Sequence, residues 1–95
     1  MNIGILKFRL RLPGNHSLKG KRQVIKSVIA QLINRFSVSA AEVEDNDLWQ
    51  IATIGVVLVS NDKCHTNDVL TKSLAFVQNS FDAELIDSSL EIIDY

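Results

Sequence analysis

Ile3-Gly4-Ile5-Leu6-Lys7-Phe8-Arg9-Leu10-Arg11-Leu12 leads through Pro13-Gly14-Asn15-His16-Ser17 into Leu18-Lys19-Gly20-Lys21-Arg22, and this run decides the fold. Gly4, Leu6, Phe8, Leu10 and Leu12 fall on one side of a strict alternation, with Ile3, Ile5, Lys7, Arg9 and Arg11 on the other. Period two predicts a strand with one buried face. Pro13 has no N–H for a ladder and Gly14 permits a turn, so the strand stops there. Ser17 is the expected N-cap of a helix running from Leu18 or Lys19 to about Arg35. Val24, Val28 and Leu32, with Ile25, Ile29 and Phe36, recur at three and four and form its core stripe. Gln23, Lys26, Ser27, Gln31 and Asn34 take the wet face.

Outward from that run, Val38 to Glu44 reads as a short, less apolar edge strand. Asp45-Asn46-Asp47 turns the chain, and Leu48-Trp49-Gln50 is expected to form one helical turn capped by Asp47. Ile51 to Ser60 is apolar on both sides, which predicts a central strand buried on both faces. Asp62 caps a second helix to about Gln78 or Asn79, with Val69, Leu70, Ser73, Leu74 and Val77 inward. Phe81 and the run from Ala83 to Ile93 give a last strand, with Ile86, Leu90 and Ile92 on one side and Asp87 and Glu91 on the other. The order βαββαβ is the split-βαβ pattern of ferredoxin-like folds. The expected architecture is one α+β domain over residues 1–95: a four-stranded antiparallel sheet, order 4-1-3-2, with both helices on one face. Lys7, Arg9 and Arg11 then lie on the helix-free face beside Val57 and Val59, with Asp87 and Glu91 on the flank. Mixed with Ile3 and Ile5, that face is apolar enough to expect a second subunit or another partner to cover it.

Composition narrows the function classes. At 95 residues, 46% of them apolar and 22% charged, the chain is of a size and makeup to bury one core. A single cysteine, Cys64, gives no internal disulfide. Met1-Asn2-Ile3-Gly4 lacks a signal-peptide pattern and no apolar run has membrane length, so a cytoplasmic location is expected. The net charge of −1 conceals a division. Residues 1–41 hold eight Lys or Arg and no acid, whereas residues 42–95 hold two Lys and all eleven Asp and Glu. A +8 half followed by a −9 half fits two readings, a surface for a polyanion or two halves that neutralise each other across strands or between subunits.

Lys19, Lys21 and Arg22 stand in or beside the first helical turn, where an exposed cation costs about 0.3–1 kcal/mol against the helix dipole. Such a local conflict points to function. With the helix-start N–H groups they form an expected anion site, and RNA backbone is the natural ligand for cations so arranged. The candidate RNA- or anion-binding set is Lys7, Arg9, Arg11, His16, Lys19, Lys21 and Arg22. A nucleotide-binding P-loop is not matched: five residues, not four, separate Gly14 from Gly20, and Arg22 stands where that motif needs a hydroxyl. His16, Cys64 and His65 are too few and scattered for zinc, so no metal or cofactor is expected. Trp49 reads as a lid over the core rather than a base-stacking platform. No carboxylate pair, Ser-His-Asp order or activated cysteine emerges, so a non-enzymatic module is expected. The layout resembles the acylphosphatases, but their glycine-valine-glutamine loop signature is absent, which leaves a phosphoryl-handling enzyme as the minor alternative.

Arg11-Leu12-Pro13-Gly14-Asn15-His16-Ser17-Leu18-Lys19-Gly20-Lys21-Arg22, then Val24-Ile25-Lys26-Ser27 and Asp47-Leu48-Trp49-Gln50, resemble the YlxP-like family of small bacterial proteins, a domain of unknown function. The resemblance covers nearly the whole chain, and His16 to Arg22 is its most specific part. It implies a ferredoxin-like fold and a cytoplasmic location. Genes of the family often lie among those for translation initiation and ribosome maturation, which implies a ribosome-associated or RNA-binding role. It implies no catalytic residue that could be carried over to this chain. Two functions are therefore set against each other: an RNA- or ribosome-binding homodimer, and a homo-oligomeric interaction protein that binds no nucleic acid.

Overall fold

The alternating run forms β1 (Asn2–Arg11), and Leu6, Phe8, Leu10 and the following Leu12 point into the interior with at most 2% exposure. The computed structural model describes residues 1–95 and continues with α1 (Leu18–Phe36), β2 (Ser39–Glu44), β3 (Ile51–Ser60), α2 (Lys63–Ser80) and β4 (Glu84–Asp94). Strand order is β2-β3-β1-β4, with each neighbouring pair antiparallel, so the fold is ferredoxin-like α+β. Both helices pack on one face, where Ile25, Val28 and Leu32 of α1 and Leu70 and Val77 of α2 close over β1 and β3. Local chemistry sets the helix limits. Ser17 Oγ accepts the Gly20 N–H, and Asp62 Oδ1 accepts those of Cys64 and His65. Ser37, left-handed at φ 55°, ends α1 by donating to Ile33 O.

Register places Ile3 opposite Val59 and Ile93, Ile5 opposite Val57 and Glu91, Arg9 opposite Thr53 and Asp87, and Arg11 opposite Ile51 and Glu84. These residues share the helix-free face. Four expectations are corrected. β3 is central but not buried on both faces: Ala52, Ile54 and Val56 are enclosed, while Val57 and Val59 are 38% and 60% exposed on the open side. Leu48-Trp49-Gln50 forms no helix: the turn lies at Asn46-Asp47, closed by Leu48 N–H to Asp45 O, and Trp49-Gln50 is a bend whose Gln50 O accepts the Leu12 N–H. Trp49 is consequently 54% exposed and covers no core. In β4 a register shift opposite Arg9 and Leu10 brings Leu85 against Leu10, and Ile86 is displaced to an exposed position. No helix is long and apolar enough to cross a membrane.

Candidate functional site

The β1–α1 junction is knitted to the β2–β3 loop by side-chain amides. Asn15 Nδ2 donates to Ser17 O and to Trp49 O, and Gln50 Nε2 donates to Asn15 O at 3.2 Å. Leu12 N–H reaches Gln50 O at 2.7 Å. Gly14, at φ 76°, makes the turn that an L side chain would strain. A Cβ on Gly20 would strike Asn15 Oδ1 and lie 3.2 Å from Ser17 Oγ, so this glycine makes room for the junction instead of cradling phosphate. His16 stands exposed on the outside of this loop.

Lys21 departs most from expectation. It is 1% exposed, in line with Ile25, Val28 and Leu32 on the inner side of α1. Its ammonium donates to Asp45 O at 2.6 Å and lies 2.9 Å from Glu42 Oε2. Glu42 Oε2 is itself enclosed and accepts no aligned hydrogen bond, so this second partner is an ion contact. Lys21 is therefore removed from the external anion site. The helical wheel carried the signal: Lys21 sits four and seven residues before Ile25 and Val28, on the core row.

Asp45 joins the two faces of the sheet. Its backbone, left-handed at φ 62°, presents the carbonyl to Lys21 and to the Leu48 N–H. Its carboxylate turns to the open face, accepts the Thr53 hydroxyl at 2.6 Å and meets Arg9 Nε at 3.5 Å. The Thr53 hydrogen bond first, then the Arg9 and Lys21 charges, hold this carboxyl below the usual carboxylate range against the opposing effect of desolvation.

The sheet cations are also engaged. Lys7 pairs with Glu44 at 2.8 Å, Arg9 contacts Asp87 at 3.7 Å as well as Asp45, and Arg11 contacts Glu84 at 3.6 Å. Each pair is partly exposed and worth about 0–1 kcal/mol. A polar cleft of about 360 Å³ between them carries the carboxylates of Glu44, Asp45 and Asp87 against Lys7 and Arg9. Its balance is unfavourable to a polyanion.

What remains is narrower than the sequence implied. Lys19 and Arg22 are exposed and unpaired, as is Lys26, which sequence reasoning had put only on the wet face. At i, i+3 and i+7 these three form one line along α1. The first turn of α1 holds no acid. His16 and Trp49 are both exposed, and Asn15 ties the Trp49 carbonyl to the loop that carries His16 into α1. Arg35, by contrast, lies 4.4 Å over the Phe76 ring.

Residues 3–90 match a family model described as "Protein of unknown function (DUF503)". "Uncharacterized protein YlxP" of Bacillus subtilis (strain 168) is 36% identical over 63 residues, covering 66% of this chain and 68% of that protein. The match agrees with the resemblance carried by the His16–Arg22 stretch, and the chain belongs to this YlxP-like DUF503 family.

Proposed function

We propose that the chain is a non-enzymatic, cytoplasmic RNA-binding module that docks on ribosomal RNA or a ribosomal subunit through the outer line of α1. His16, Lys19, Arg22 and Lys26 meet phosphates, and Trp49 offers a ring to an unstacked base. The supporting observation is a contrast within the basic half. Lys7, Arg9, Arg11 and Lys21 are each held by the molecule's own acids, whereas Lys19, Arg22 and Lys26 have none. Lys7, Arg9, Arg11 and Lys21 are therefore left out of the proposed contact set.

With only a few phosphate contacts, binding is modest and its logarithm falls with log salt at a slope of roughly −2 to −3. Purified small and large ribosomal subunits, and ribosomal RNA alone, are the probes for co-sedimentation across low to moderate salt. Lys19→Ala/Arg22→Ala should flatten the slope, while Lys7→Ala/Arg11→Ala should leave it nearly unchanged. No binding at low salt, or equal effects of the two double variants, overturns the reading.

A further inference from the structure

The outer flank of α1 carries a second apolar row that starts in the core and emerges from it toward the C-terminal end of the helix. Ile25, Ile29 and Ile33 stand at i, i+4 and i+8, and exposure rises along the row from 3% at Ile25 to 42% at Ile33. The row overhangs the free edge of β2, and the groove between them has a volume of about 420 Å³. Arg22 and Lys26 stand at its N-terminal end and Glu42 in its floor, where Lys21 already neutralises the carboxylate. β2 pairs only with β3, so its other edge is unpaired. Soluble proteins guard such edges with Lys, Pro, charge or bulges. Here Ser39-Ala40-Ala41 has none of these, and the register shift comes only after Glu42.

We infer that a second copy of this chain occupies the groove, with β2 pairing antiparallel to β2 of the partner and the two α1 helices packing across a two-fold axis. The charge pattern selects this occupant. On this flank the cations lie in the N-terminal half of α1, and Ile29, Ala30 and Ile33 lie in the C-terminal half. Antiparallel helices bring the apolar halves together, with the small Ala30 near the crossing. Arg22 of each copy then lies beside the C-terminal, partially negative end of the other helix, the favourable counterpart of its misplaced position on its own helix. Rows at i±4n are the ridges that interlock in the commonest helix packing. β4, the opposite edge, carries Glu84, Asp87, Glu91 and Asp94 along its whole length, whereas β2 confines Glu42 and Glu44 to its C-terminal half. With only a six-residue strand and one helix flank to bury, against ~800 Å² per partner in a standard interface, the dimer is weak and concentration-dependent.

A second copy in this groove engages Arg22 and borders Lys26, so it competes with the proposed RNA contact at those two residues; the test of the dimer contains no RNA. Sedimentation equilibrium of the full chain from micromolar to submillimolar concentration should show a monomer–dimer equilibrium. Ile33→Asp should raise the dissociation constant at least tenfold, as should Ala30→Glu, an exposed helical substitution that keeps the fold if the first does not. Val59→Asp on the open sheet face should leave it unchanged. A monomer throughout the range overturns the inference, as does dissociation by Val59→Asp with the two α1 variants still dimeric.

Discussion

Lys21→Met keeps the aliphatic stem in the row with Ile25, Val28 and Leu32 and removes only the ammonium. The loss begins with the charge-assisted hydrogen bond to Asp45 O, worth about 1.5–3 kcal/mol. It continues at Glu42, whose enclosed Oε2 is left without a counter-charge. One-sided removal from a buried pair costs about 3–5 kcal/mol. The Glu42 side chain retains 17% exposure and can turn partly toward water, which moves the expected loss to about 2–4 kcal/mol. In a domain of this size that corresponds to a fall in Tm of roughly 10–25 °C. Urea denaturation at neutral pH, followed by circular dichroism, measures it. Lys21→Met/Glu42→Leu replaces both charges with apolar groups and should return to within about 1 kcal/mol of the parent. A Lys21→Met loss below about 0.5 kcal/mol, or a cycle with no coupling between the two positions, refutes the assignment of Lys21 to the interior ion pair.

Two further predictions concern the same junction. Thr53→Val keeps the shape but removes the hydroxyl that does most to lower the Asp45 pKa, so the Asp45 carboxyl should titrate closer to its ordinary value by NMR. A carboxyl depressed in the folded state adds stability above its unfolded pKa of about 3.9 and loses it as pH falls through the folded value. The variant's stability deficit should therefore narrow as the pH falls below about 4, and an unmoved Asp45 titration would contradict the assigned cause. Ser17→Ala removes the acceptor of the Gly20 N–H and should cost about 1 kcal/mol, whereas Ser17→Asp, an anion at a helix start among unpaired cations, should cost less in the same thermal melt.

The sequence by itself determined the elements, their order and the inward face of β1, because those signals lie between near neighbours in the chain. Alternation from Ile3 to Leu12, three-and-four spacing from Val24 to Phe36, and caps at Ser17 and Asp62 each reflect local geometry, and every one appears in the structure. The apolar run in β3 misled, since a strand buried on both faces and one facing an open, partly apolar surface have the same composition. Only the tertiary structure decided which cations are free. Lys7 meets an acid 37 residues away, and Lys21 meets a carbonyl 24 residues away, partners that no local spacing reveals. Charge is counted along the chain, but ion pairing depends on distance in space, and the fold sets that distance.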